Sequence, residues 1–315
     1  MRFNRSDPAL NADLYWAVCS ADLMQLPANA IHTGLQSIHD APHLNDLSQW
    51  IKSKDHSQPL RELITKRKPN RLGIYYETLW QYVLENYPGF ELISRNLPVR
   101  EQGKTLGELD FVYFCQHRQR YIHLETAVKY YLGLQTPQLP AATEQPVLSW
   151  SQWLGPGCKD RLDLKLLKML HHQTQLTDNQ LCHDTLKSLG IETPLKEICL
   201  KGYFFYPLGC TSEAPRFSHP QHAHGHWLPI SQLNRLDTQA AESNHWQIMN
   251  KEQWLAPLNH NQPEQLLSLT ALAGRLTEQL SNRAFPIMVA NMAKTDSGYQ
   301  ETKRFFVTPD IWPFG

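Results

Sequence analysis

The chain has 315 residues, 41% of them apolar, and its 30 Lys and Arg balance its 30 Asp and Glu. That neutrality excludes an overall basic coat for nucleic acid, although a local patch stays open, and 9 Trp, 12 Tyr and 11 Phe exclude a disordered chain. No run approaches the ~18 apolar residues of a membrane span, the start Met1-Arg2-Phe3-Asn4-Arg5-Ser6-Asp7-Pro8 has no secretory apolar stretch, and six scattered cysteines without a C-x-x-C pair read as reduced cytoplasmic thiols.

In chain order, residues 9–26 predict one helix or two short ones, with Leu14, Val18 and Leu23 loosely at helical spacing. Asn45 to Arg71 is a polar stretch carrying Lys66-Arg67-Lys68. Arg71 to Asn86 predicts a better helix, with Leu72, Tyr76, Leu79 and Val83 on one stripe and Pro88-Gly89 as the stop. Three strands are expected next, over Phe90–Ser94, Leu109–Cys115 and Tyr121–Tyr131. The short polar linker Gln116–Arg120 reads as a hairpin loop between the last two. A Pro-containing loop runs from Gln135 to Gly157. A helix follows over Asp160–Gln173 with Asp160 as its N-cap, and then a strand over 201–206. Beyond these come a His-rich loop at 219–226, an aromatic segment near Trp246–Trp254, a helix near 263–281, and strands at Phe285–Asn291 and Lys303–Thr308.

The chemistry concentrates on acids inside strands. Side chains alternate along a strand, so His123, Glu125, Ala127 and Lys129 share one face, while Ile122, Leu124, Thr126 and Val128 form the apolar one. Asp110 interrupts the preceding apolar strand in the same way. A carboxylate in such a place is costly unless it is paired, metal-bound or wet. A short hairpin makes the two strands neighbours, so Asp110 and Glu125 can converge as hard oxygen ligands suited to Mg²⁺ or Mn²⁺. A nearby lysine would then stabilise charge on a phosphate or help deprotonate the attacking water. The competing placement puts both acids at an edge or on the surface, each meeting a solvent-facing Lys or Arg.

A helix bearing Glu77, then Gly107-Glu108-Leu109-Asp110 opening a strand, then a strand with Glu125 and Lys129, then a helix, resembles the PD-(D/E)XK nuclease-like superfamily. More narrowly, the runs at 123–132, 160–165, 201–205 and 306–313 resemble an uncharacterised bacterial family grouped with it. The resemblance implies an α/β fold with a restriction-endonuclease-like core of helix, three strands, helix and strand, a central mixed sheet flanked by helices. That core would occupy 66–210, between a mostly helical extension at 1–65 and an α+β extension at 211–315. Asp110 and Glu125 would be metal ligands, completed by Glu77 directly or through a water. The chain departs from the superfamily at the lysine: Glu-x-Lys is usual, but position 127 is Ala. Lys129 lies about 6.6 Å farther along the same strand face, and Lys165 on the next helix is the substitute.

On that helix Arg161, Lys165, Lys168 and His172 fall on one side, a stripe on which a phosphodiester backbone could lie or an ordinary solvated face. His219, His222, His224 and His226 lack the flanking ligands and spacing of a zinc site. The tryptophans at 227, 246, 254 and 312 read as core rather than as a base-stacking platform. Neither a phosphate loop nor a nucleophile elbow is present. Two functions follow as expectations. One is a divalent-metal-dependent nuclease or phosphodiesterase acting on DNA or RNA through a metal-activated water. The other is an inactive nuclease-like fold that binds nucleic acid or protein. No membrane partner is expected, and the oligomeric state is open.

Overall fold

The structure, a computed structural model, describes residues 3, 5–26, 35–38, 41, 43–101, 104–134, 150–210, 213–236, 245–260, 266–281 and 285–313. It is a mixed α/β fold with helices on mixed sheets. The chain divides into two compact units, one of residues 1–128, 164–201 and 217–221, the other of residues 129–163, 202–216 and 222–315.

The first unit carries the acids. Its helices are α1 (Asp7–Cys19), α2 (Leu44–Lys52), α3 (Ser57–Arg67) and α4 (Leu72–Asn86). α1 stops at Ser20, short of the expected residue 26. The polar stretch at 45–71, for which the sequence marks no individual helices, folds as α2 and α3. Leu47 and Ile51, and Leu60 and Ile64, are spaced four apart and buried, so a sparse apolar stripe suffices where neighbouring helices cover it. α4 is buried almost all round, through Tyr75, Tyr76, Leu79, Trp80, Tyr82, Val83 and Leu84. On such a helix a half-buried Glu77 stands out.

The strands of this unit follow the order β2-β3-β4-β6-β1. β2 (Phe90–Glu101), β3 (Lys104–Cys115) and β4 (Arg120–Gly133) form antiparallel pairs, and β1 (Leu35–Ser37) lies parallel to β6 (Leu195–Pro207). The hairpin expected at 116–120 closes β3 onto β4, with Gln119 at φ 50°. β4 and β6 both run on into the second unit. Its remaining strands are β5 (Trp153–Leu154), β7 (His224–Pro229), β8 (Trp246–Ile248), β9 (Asn259–His260), β10 (Ile287–Thr295) and β11 (Gly298–Thr308), in the order β6-β7-β11-β10-β8. Gly202 of β6 has φ 139°, and a Cβ there would lie 1.6 Å from the Lys129 carbonyl oxygen, so no other residue fits.

The helix expected over 160–173 is α5 (Leu162–Lys168), continued by a π turn over Met169–Gln173. Asp160 is therefore not its N-cap; its carboxylate takes the Lys129 ammonium. A helix without a sequence forecast, α6 (Gln180–Ser188), is capped by Asn179, whose side chain accepts from Leu181 N at 2.9 Å. It buries Cys182 and Leu186 against Val99, Leu109 and Val112 of the sheet. In the second unit α7 (Leu269–Ser281) buries Leu272, Leu276 and Leu280 among Trp246, Val289, Phe305 and Val307. The start of the helix expected near 263–281 and the loop expected from 135 fall partly outside the described residues (261–265 and 135–149). Trp227, Trp246, Trp254 and Trp312 are buried, as core. No disulfide links the six cysteines. Among the described residues no helix is long and apolar enough to cross a membrane.

Candidate functional site

The register of β3 on β4 decides which acids meet. Phe111 pairs with Leu124 and each later pair keeps that offset, which sets Asp110 opposite Glu125. The ladder ends at Phe111 and Leu124, and the two carboxylates then take over the exposed backbone donors. Asp110 Oδ2 accepts from Thr126 N at 2.9 Å, and Glu125 Oε1 accepts from Asp110 N at 3.3 Å. Each acid is thus held by the other's strand, on one face of the sheet. The edge or surface alternative fails, because Glu125 is fully buried.

Around the pair, His123 Nε2 lies 2.8 Å from Glu125 Oε1, and Gln173 Nε2 donates to Glu125 Oε2. Lys165 Nζ donates to Gln173 Oε1 at 3.3 Å, and its charge acts on Asp110. On α4, Glu77 Oε2 accepts from Arg95 Nη2 at 3.2 Å, while Arg95 Nη1 donates to Gln81 Oε1 at 3.0 Å. Burial and the neighbouring Glu125 charge push the Asp110 carboxyl up to about 8. Burial raises Glu77 too, against the opposing pull of Arg95. The buried atoms His123 Nδ1, Thr126 Oγ1 and Arg95 Nε have no hydrogen-bond partner among the described residues.

The first unit therefore brings Glu77, Asp110, Glu125 and Lys165 together. It does not bring Lys129 to them by any direct bond: that ammonium is in the second unit and bonded to Asp160. The expected basic stripe also breaks up. Arg161 precedes α5 and forks onto Asp163, with Nε to Oδ1 at 2.9 Å and Nη2 to Oδ2 at 2.6 Å. Lys165 turns toward Gln173, and only Lys168 and His172 stay exposed. The π turn widens the last stretch and shifts residues after Lys168 off the 3.6-residue period, so His172 does not continue the α-helical stripe. The same turn delivers Gln173 to Glu125, a contact that no α-helical wheel contains. Arg95, Gln81 and Gln173 went unread in the sequence. His123 carried a signal, its i, i+2 position on the Glu125 face.

Among the described residues no group of three or more His, Cys, Asp or Glu is arranged to hold a metal ion. A two-carboxylate set still fits Mg²⁺ or Mn²⁺, since the hard dication keeps several waters and takes one or two carboxylates together with substrate oxygens. The charge of a bound dication would draw the Asp110 carboxyl back down, against the burial and the Glu125 charge that raise it. In the second unit His222 is taken up by Tyr206, with Nε2 2.9 Å from the hydroxyl, and His224 and His226 lie on β7.

No curated protein and no solved structure matches the chain. A family model does, over residues 12–308, and on that match the chain belongs to the family described as domain of unknown function DUF1853.

Proposed function

We propose that this protein is a divalent-metal-dependent phosphodiester hydrolase acting on DNA or RNA, with a core of the PD-(D/E)XK nuclease-like kind. The observation that carries the reading is the Asp110/Glu125 pair: two carboxylates opposed on adjacent strands, with no Lys or Arg ion pair to either among the described residues. A bound Mg²⁺ or Mn²⁺ would supply a water of lowered pKa and a Lewis acid for the phosphate.

The chain's own residues do the rest. Asp110 and Glu125 are the ligands, held in place by Thr126 N, Asp110 N, His123 and Gln173. Lys165 takes the place of the lysine absent at position 127. Its ammonium offers charge to a phosphate oxygen while Gln173 links it to Glu125. Glu77 shares the field of the pair and is held back by Arg95. The site's imidazole, His123, is fully buried and bonded to Glu125 rather than open to substrate, so cleavage needs the metal.

Incubating the purified protein with plasmid, single-stranded DNA and structured RNA, each with Mg²⁺ or Mn²⁺, tests the reading. Metal-dependent cleavage that Asp110→Ala abolishes supports it. Undiminished cleavage by Asp110→Ala in EDTA refutes it. One observation favours a second reading, a module that binds without cutting: the strand-borne Lys129 is occupied by Asp160. Salt-sensitive binding with no cleavage of any substrate would select that reading.

A further inference from the structure

α5 presents an outer face that does not look like the outside of an ordinary helix. Leu164 and Leu167 are 51% and 52% exposed, more than any other large apolar residue among the described residues of the first unit. Lys168, His171 and His172 are exposed beside them. At 100° per residue, Leu164, Leu167 and Lys168 occupy one continuous sector of α5, spaced i, i+3 and i+4, and His171 follows on the π turn. No Asp or Glu falls in it. Lys165 borders the sector on one side and leads to Gln173 and the carboxylates. The opposite side, Leu162, Leu166 and Met169, is buried.

We infer that this face is the seat of single-stranded nucleic acid, with Leu164 and Leu167 packing under unpaired bases and Lys168 and the histidines facing the phosphates. The inference rests on the reading of the adjoining acids as a nucleic-acid site. Charge complementarity selects the occupant. The sector is basic and imidazole-bearing, so its partner is an anion, and its centre is apolar, so its partner also has dehydrated flat faces. A duplex presents phosphates but keeps its bases stacked inside, whereas a single strand presents both. The face is continuous with Lys165, so a strand seated there runs toward Asp110 and Glu125.

Fluorescence anisotropy in EDTA, where nothing is cut, tests this with labelled oligo(dT), oligo(rU) and a blunt duplex of equal length. The wild-type protein should bind the single strands about tenfold more tightly than the duplex. The double substitution L164S/L167S should remove that preference and leave duplex binding and the unfolding transition unchanged. Leu164→Phe, which keeps an apolar contact, should retain it. Lys168→Ala should lower the slope of log affinity against log salt by about 0.7. Equal binding of single strand and duplex, or a preference untouched by L164S/L167S, overturns the inference. So does loss of a concentration-dependent dimer, or of binding to anionic vesicles, on the same double substitution. The two claims fail separately. A protein that never cuts yet prefers single strands through these leucines refutes the hydrolase and keeps the seat. Metal-dependent cutting of single strands unaffected by L164S/L167S does the reverse.

Discussion

Two buried charged regions solve the same electrostatic problem in opposite ways. In the second unit Arg304 is buried and fully partnered. Its Nε lies 2.5 Å from Glu301 Oε1, Nη1 donates to the Trp254 carbonyl at 2.6 Å, Nη2 donates to the Ala256 carbonyl at 3.3 Å, and the guanidinium sits 4.0 Å from the Tyr203 ring centroid. In the first unit Glu125 is as deeply buried, yet its neighbours are another carboxylate, an imidazole and an amide. The other buried carboxylates of that unit follow the Arg304 pattern: Asp13 pairs with Arg5, Asp22 with Lys201, and Glu197 with Arg118. Those charges are neutralised inside the chain, whereas the Asp110/Glu125 pair has no Lys or Arg ion pair among the described residues.

Breaking each region should therefore have opposite consequences for stability. Arg304→Ala takes the guanidinium away from a Glu301 side chain that is only 6% exposed and removes its bonds to the Trp254 and Ala256 carbonyls, so urea unfolding should show a loss of about 3–5 kcal/mol. Asp110→Asn removes a like charge, so the metal-free protein should unfold at the same or a higher temperature than wild type at pH 8. A loss of stability there comparable to that of Arg304→Ala would erase the contrast.

The pH dependence sharpens the same point. The folded Asp110 carboxyl titrates near 8 against about 3.8 in the unfolded chain. The native state thus holds the extra proton between those values, so its stabilising contribution is complete below about 4 and is lost as pH rises through about 8. Thermal unfolding of the metal-free protein should show a decline over that window that Asp110→Asn flattens. The smallest effect belongs to the amide link. Gln173→Ala removes one hydrogen bond to a carboxylate, which should cost about 1.5–3 kcal/mol of stability or an equivalent loss in cleavage rate. Leu170→Ala, on the half-buried flank of the same turn, should leave cleavage intact.

What was readable in the chain follows from which interactions are local. Period-2 alternation placed Glu125 on its face, and the short hairpin fixed Asp110 as its neighbour, because both depend on residues within one β-ribbon. The core strands were recognised but shortened. β2 continues past Ser94 through register shifts near Leu92/Ser94 and Val99/Arg100, and irregular pairing of that kind has no signature in periodicity. β1, β5 and β9 are two or three residues long and owe their existence to neighbours distant in sequence. The lysine question turned on the same distinction. Lys129 shares a strand face with Glu125, but the choice between Asp160 and the acid pair is tertiary, and so is the π turn that sets Gln173 between Lys165 and Glu125.

The central claim, that Asp110 and Glu125 form a seat for a dication, is tested most directly by titrating Mg²⁺ and Mn²⁺ into the metal-free protein by calorimetry at pH 7 in two buffers of different ionisation enthalpy. One ion should bind per chain with release of up to about one proton, as the Asp110 carboxyl gives up the proton it holds below about 8, and Asp110→Asn should bind none. Equal binding by wild type and Asp110→Asn, or no binding by either at millimolar metal, would contradict it.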